Sequence, residues 1–553
     1  MLRVASPHME LLVKNKLFPI ILLILISIVF LFPLLSNNFY MSHDGEAHVA
    51  RFAAYYKAFL DGQFPLRWAG DLNYGYGSPV FIFYYPLPGL LSIPIHALGL
   101  SFEATFKLII GMFFGLSFIT FFLWAKEFVR REAAFLGALL YGLAPYHFLN
   151  LYVRGDIGEL VALGIVPLVF LFIKKSIEVK SSGFIILAGI SYALLILSHN
   201  AVSLMFSPVI LLYAFILSRN LKDVIFGLTP IVLGLILSAF FWAPSLIESR
   251  YTNRELFIGD MFKDHFPSIQ QLTYSPWGFG PDVNKPGGLS PQIGILNLSL
   301  AIGSIALLFK KFKEKKMVLF WTAVLVFSIF LTLNFSSLIW EKAPLFRFLQ
   351  FPWRMTSLSG FASIILAMYF LNEIIDKKII VILITAIFVY SLSFLKTQPI
   401  NAKDDSFYLS YKGTTDYHGA ASSIWTAGDF SIAAKAPYEV IEGEGEIREI
   451  KRKSNVHEFN VIAPNDLKIV DNTVYFPGWQ VMVDGDRVPI QFQDPNYRGL
   501  ITFSVPRSAH NIKVSFGESP TRIASDFLNL TGLLIIITTF AFRSRTDKIL
   551  RKI

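Results

Sequence analysis

Residues 79–100 read PVFIFYYPLPGLLSIPIHALGL, a stretch long and apolar enough to cross a bilayer but interrupted by Pro79, Pro86, Pro88 and Pro94. Whether it crosses sets the side on which every later loop emerges. Proline removes a backbone donor and disfavours a straight span, and the surrounding charges decide the matter. Other long apolar runs lie near 17–36, 104–125, 133–150, 158–174, 183–199, 201–218, 223–246, 293–310, 317–335, 357–373, 378–396 and 524–542, twelve in all. With 79–100 interfacial or re-entrant, the basic blocks Lys14/Lys16, Lys126/Arg130/Arg131, Lys174/Lys175, Arg219/Lys222, Lys310 to Lys316, Lys377/Lys378 and Arg543 to Lys552 share one side. If it crosses, every block after the first moves to the other side. Cytoplasmic loops are rich in Lys and Arg, so the sequence predicts an interfacial 79–100, about twelve spans and both termini in the cytoplasm.

At 553 residues, 54% hydrophobic and 15% aromatic, the chain is too apolar for a soluble globular protein and reads as a multi-pass cell-membrane protein. Its net charge of +10 sits in blocks between apolar runs, which argues against nucleic acid as a partner. The run 17–36 is longer than a signal-peptide core and has no small-x-small site after it, so it reads as an uncleaved first helix. The absence of Cys excludes disulfides and thiolate metal sites.

This topology turns 37–103, 151–157, Asn200, 247–292, 336–356 and 397–523 outward. From Tyr438 to Phe516 the pattern becomes short alternating strands such as Val474-Tyr475-Phe476 and Trp479 to Val483, with a turn at Asp484-Gly485. That pattern predicts a small β domain. The expected fold is mainly α: a polytopic transmembrane helical bundle over 1–396 with outer loops 37–103 and 247–292. An extracytoplasmic, β-sandwich-like domain occupies 397–523, and a final helix with a basic tail 524–553.

The candidate chemistry lies in the outward segments. Ser42-His43-Asp44-Gly45-Glu46-Ala47-His48 follows the first helix, and a carboxylate beside a membrane cavity can act as general base or hold a cation. Capping of an interfacial helix by Ser42 or Asp44 is the structural alternative. In Arg154-Gly155-Asp156-Ile157-Gly158-Glu159 the spacing puts both carboxylates on one helix face, where with Asp44 they form a candidate Mg²⁺ or Mn²⁺ site. Acidic residues complementing a helix N-terminus, with Arg154 as partner, is the other reading. His199 lies at an outer hairpin tip, and Arg347 and Arg354 stand among aromatics in 344–354, where arginine forks suit phosphate. Trp277, in a Gly- and aromatic-rich stretch of the loop 247–292, is a candidate sugar-stacking residue in a mobile flap. Glu46 is a further substrate-binding candidate.

The first helix followed by His43-Asp44-Gly45-Glu46, the proline-rich 79–94 and the bundle resemble the GT-C superfamily of membrane glycosyltransferases. The first 400 residues look like membrane proteins labelled "6-pyruvoyl-tetrahydropterin synthase-related". Tyr475-Phe476-Pro477-Gly478-Trp479 with Asp484-Gly485 is similar to the C-terminal region of YfhO-type membrane proteins. The resemblance implies transfer of a sugar from a polyprenyl-phosphate donor to a glycan, lipid or protein acceptor at the outer face. Asp44 would then be base or metal ligand and Asp156 its acidic partner, with the donor phosphate on Arg354, Arg347 or Arg154 and the acceptor glycan on Trp479 and Tyr497. The second loop has Gly155 to Glu159 where that superfamily carries Asp-x-Asp. The pterin label implies a three-histidine zinc site that the sequence does not supply. A flippase for a lipid-linked saccharide and a non-catalytic envelope scaffold are the competing readings; the former would place charges inside the spans near the midplane.

Overall fold

The structure, a computed structural model, describes residues 17–374, 376–426 and 432–542. Helices form over all the apolar runs. Seven of them, Phe102–Ala125, Arg131–Arg154, Ile157–Val179, Asn200–Leu217, Lys315–Thr332, Pro352–Ile374 and Pro520–Ala541, have membrane length and composition. The pair Leu221–Leu237 and Ala239–Tyr251, bent by 71° at Ser238, has the length and composition of an eighth when the two are taken together, as a broken span or a re-entrant loop. The remaining runs give the shorter helices Phe18–Phe30, Ser182–Ser198 and Ile295–Phe309, and Lys377–Leu392.

The deciding stretch folds as Val80–Phe83 and Leu87–Ala97. At 1.5 Å per residue the second is about 16 Å long, half a hydrocarbon core. It packs along Gly45–Leu60, with Tyr55 against Phe81 at 4.1 Å. The consequence for topology shows at the far end of the bundle. There Lys174 and Lys175 both meet Glu127, the Arg130 N–H donates to Asn372 Oδ1 at 2.8 Å, and Lys316 donates to the Ile216 carbonyl at 2.9 Å. Basic blocks predicted to share a side therefore interlock there. Lys14, Lys16 and the tail Arg543 to Lys552 lie outside the described residues.

The β domain is two antiparallel sheets. One runs Glu446–Lys453, Val456–Ala463, Ser508–Phe516, Trp479–Val483, Asp486–Val488; the other runs Tyr438–Glu442, Leu467–Val474, Leu500–Val505. Alternate residues Phe459, Val461, Val481 and Val514 from the first and Ile469 and Phe503 from the second are buried in one core. His457 Nδ1 bridges to Asp471 Oδ2 across it at 2.6 Å. Trp479, expected to present a glycan platform, is instead 3% exposed. Its ring packs against Phe516 and edge-on to Trp68 at 5.2 Å, because the strand alternation puts it on the same inward face as Val481 and Val483.

Trp68 belongs to the first loop, so the domain and that loop share a core. Ionic contacts reinforce the joint: Arg67 meets Glu518 and Asp526 at 3.2 and 2.8 Å, and Arg522 meets Glu248 at 3.1 Å. Residues 397–426 precede the strands and lie against the bundle. Pro399–Ile400 pairs with Phe39–Tyr40, and Tyr408 donates to Glu103 at 2.7 Å.

Candidate functional site

A cavity of about 920 Å³ opens where the predicted outward segments meet. Its wall includes Asp44, His48 and Arg51 from the first loop, Tyr84 and Tyr85 from the proline-rich stretch, and Arg154 and Asp156 from the second loop. His199, Arg254, His265, Asp282, Arg354 and Thr414 to Asp416 complete it from the later segments. The expectation that these loops share one end of the bundle is met by their convergence.

Asp44 is placed by backbone. The His43 and Asp44 N–H groups donate to the Val153 and Arg154 carbonyls at 3.0 and 2.8 Å, stitching the first loop to the end of a π-helical turn, Leu149–Arg154. Such turns occur often at functional sites. Gly155 makes the approach possible: its φ is +62°, and a Cβ there would lie 2.5 Å from Ser42 Oγ and 3.0 Å from the Gly45 nitrogen. Asp44 occupies the N-cap position of Gly45–Leu60, yet its side chain accepts no capping hydrogen bond. The carboxylate faces the cavity, half-buried, with no hydrogen-bond partner among the described residues. Burial and the neighbouring Asp156 raise its pKa above the ordinary aspartate value, against the pull of Arg154, His43 and Arg354.

Asp156 and Glu159 are held differently. Asp156 caps Ile157–Val179 by accepting from the Glu159 N–H at 3.0 Å, and receives Arg154 Nη2 at 2.7 Å. His199 Nε2 stands 3.8 Å away. Glu159, wholly buried, takes Arg154 Nη1 at 2.8 Å, Arg354 Nε at 2.9 Å, Tyr146 Oη at 2.7 Å and Asn150 Nδ2 at 3.2 Å. Burial alone would raise Asp156, but Arg154, His199 and Arg354 outweigh it and hold the carboxyl below the usual carboxylate range. His199 accepts the Val202 N–H at Nδ1, and burial pushes it down to about 4 despite Asp156. His48 is likewise pushed down to about 3, by burial and then by Arg51.

One oxygen or nitrogen from each of Asp156, Glu159 and His199 lies within 4.8 Å of the others, a spacing that a metal ion would accept. The donor set does not fit a divalent cation. Two guanidinium groups already neutralise both carboxylates, and Asp44, the third expected ligand, is not part of the cluster. Arginine charge occupies the position a cation would need.

Four sequence candidates do not line the cavity: Glu159, wholly buried with the contacts just given, and three others. Glu46 pairs with Lys403 at 2.6 Å, Arg347 pairs with Glu255 at 2.6 Å, and Trp277 packs against Phe394 at 4.8 Å. Within its loop the Gly280 N–H donates to the Gly287 carbonyl at 2.9 Å. Arg51, beside the acidic cluster of the first loop, and Arg254, in the charged start of the loop 247–292, also line the cavity, as do Tyr84, Tyr85 and Asp416, which no sequence motif marked.

A family model described as the 6-pyruvoyl-tetrahydropterin synthase related domain, a membrane protein, matches residues 81–399. Asp44 precedes that match, whereas Asp156, Glu159, His199, Arg254 and Arg354 fall within it. An uncharacterized protein of Lactococcus lactis subsp. cremoris is 25% identical over 238 residues, 41% of this chain and 39% of that relative's own length. Among solved structures, the mycobacterial arabinofuranosyltransferase AftD is similar at 15% identity and a TM-score of 0.46, covering 69% of this chain and 26% of its own. ArnT from Cupriavidus metallidurans, bound to undecaprenyl phosphate, is similar at 14% identity and a TM-score of 0.43, with 68% and 64% covered.

Proposed function

This chain belongs to the 6-pyruvoyl-tetrahydropterin synthase-related family of membrane proteins, and on that footing we propose a membrane glycosyltransferase. It moves a sugar from a polyprenyl-phosphate donor to a glycan, lipid or protein acceptor. The observation that carries the reading is Asp44: where Asp156 and Glu159 are tied up by arginine, it offers the cavity a carboxylate of raised basicity with no hydrogen-bond or ion-pair partner among the described residues. A general base needs that state, because a carboxylate already bound to guanidinium is a poor proton acceptor.

A lipid-linked donor is supported by an arm of the cavity that reaches between long apolar helices. It runs past Tyr192, Ile196, Ser203, Leu204, Ser207 and Leu235, between Ser182–Ser198, Asn200–Leu217 and Leu221–Leu237. Ser207 lies eight residues below His199, about 12 Å down the helix. A water-soluble donor has no need of such an arm.

In the proposed step the acceptor hydroxyl gives its proton to Asp44 and its oxygen attacks the anomeric carbon. The bond from that carbon to the phosphate oxygen breaks with its electron pair leaving on the phosphate. Arg354, whose Nη2 makes no hydrogen bond among the described residues, and Arg154 stabilise the leaving charge in place of Mg²⁺ or Mn²⁺. The site faces outward because the interlocked basic blocks belong on the cytoplasmic side.

The test is transfer from a panel of polyprenyl-phosphate sugars by the protein in lipid nanodiscs, wild type against Asp44→Asn, with and without EDTA. Turnover that EDTA leaves intact and the variant loses is the expected result. Donor binding without turnover in either protein would sink the enzyme reading in favour of a flippase or scaffold.

A further inference from the structure

The arginines of the cavity are of two kinds. Arg154 and Arg354 are neutralised by Asp156 and Glu159. Arg51 and Arg254 face the same cavity and meet no carboxylate within ion-pair distance among the described residues. Arg51 is 5% exposed; its guanidinium lies 3.9 Å over the Tyr84 ring and donates to Thr415 and, at 3.0 Å, to His48 Nδ1. Every one of these partners is neutral, since a His48 that accepts from Arg51 carries its proton on Nε2.

Arg254 is half-buried. It lies 4.3 Å over the Phe348 ring and donates to the Arg347 carbonyl at 3.2 Å. Its neighbour Glu255 is turned to Arg347 instead, so the nearest carboxylate in sequence is taken. Glu255 acts on Arg254 only from beyond ion-pair distance, and two largely desolvated cations without a carboxylate at ion-pair distance are costly to hold unless an anion arrives.

We propose that Arg51 and Arg254 provide the cavity with a second anion subsite, beside the arginines that Asp156 and Glu159 neutralise, and that it takes a phosphate or carboxylate group carried by the acceptor. The assignment to the acceptor rests on the transferase reading; the anion site itself does not. Position supports it. Arg51 is on the same helix as Asp44, seven residues on, and its guanidinium meets His48, which lies between them in the chain, so subsite and base open on one cavity. A cavity of about 920 Å³ lies at the upper end of ligand-pocket sizes and leaves room for two substrates. The acceptor on this reading is anionic.

The test uses the full chain in nanodiscs without any donor, titrated with inorganic phosphate and, in parallel, with glucuronate, reading the melting temperature. The wild type is expected to be stabilised by one or both, and the more effective anion names the acceptor group. Arg254→Gln and Arg51→Gln should each weaken that anion about tenfold, the worth of a charge-assisted hydrogen bond. Arg254→Lys should retain most of the effect, and Arg487→Gln, on the exposed β domain, all of it. If Arg51→Gln does not fold, the Gln and Lys variants of Arg254 decide alone. Equal anion affinity in wild type and Arg254→Gln overturns the subsite. Anion binding that depends on Arg254 in a protein that transfers no sugar upholds the subsite and refutes the transferase. Transfer with an unchanged KM for an anionic acceptor in Arg254→Gln does the reverse.

Discussion

Two walls of one cavity carry acid, and they hold it in opposite ways. At the start of Ile157–Val179, Asp156 and Glu159 are buried among Arg154, Arg354, Tyr146, Asn150 and a helix N-terminus, with their hydrogen-bonding capacity largely used. In the first loop, Asp44 stands at a cap position without capping, held there by main-chain bonds to the other wall. One wall spends its carboxylates on fixing arginine; the other keeps one available. A carboxylate's chemistry therefore follows from what its neighbours leave unsatisfied rather than from depth alone.

The largest expected effect breaks the comparison at its reactive side. Asp44→Asn keeps the shape and removes the base, so transfer should fall about 10²- to 10⁴-fold; Asp156→Asn should cost far less in rate, since its carboxylate is not the proton acceptor. Comparable losses in single-turnover assays of the two would mean that the walls are chemically equivalent. Next comes stability on the structural side. Glu159→Ala leaves Arg354 and part of Arg154 buried without their counter-charge and should cost about 3–5 kcal/mol. Glu178→Ala, which breaks a half-exposed pair with Lys174 at the basic end, should cost about 1 kcal/mol or less. Thermal melts in one nanodisc preparation check both. Gly155→Ala sharpens the link between the walls. A Cβ at φ +62°, 2.5 Å from Ser42 Oγ, should cost about 1–3 kcal/mol and lower transfer by displacing Asp44.

Much of this arrangement is legible before folding is considered, and the part that is not has a physical reason. Alternation of basic blocks along the chain reports topology through local composition, so the meeting of the outer loops at one end of the bundle follows from sequence, and the prolines of 79–100 foretell its break into two short helices. The strand pattern of Tyr438 to Phe516 follows from period-two alternation, which also held the answer for Trp479: it shares a face with the buried Val481 and Val483. Glu46, Arg347 and Trp277 had the right residue types, but their partners Lys403, Glu255 and Phe394 are fixed only by tertiary structure. Arg51 is the converse case. Its contacts come from Thr415, 364 residues away, and no local pattern reports that its charge is uncompensated.

The smallest effect is the most discriminating, because the two aspartates should move stability in opposite directions with pH. Asp44 has a folded pKa raised above its unfolded value. Its contribution is favourable while the group is protonated, fully present below the unfolded pKa, and lost as pH rises through the folded one. At neutral pH the ionised Asp44 is then a cost, and Asp44→Asn should melt slightly higher than wild type there, the gain vanishing in acid. Asp156 has its folded pKa depressed, so its stabilisation is present above the unfolded value and disappears as pH falls through the folded one. Asp156→Asn should accordingly melt lower at neutral pH and converge on wild type in acid. The same raised pKa makes the acid limb of transfer begin at higher pH than an ordinary aspartate would give, since the base must be ionised to act. Melting curves and a pH–rate profile on these two variants separate the walls without knowledge of the acceptor: like-signed stability changes would show that Asp44 is held by arginine after all, and the proposed base would be lost with it.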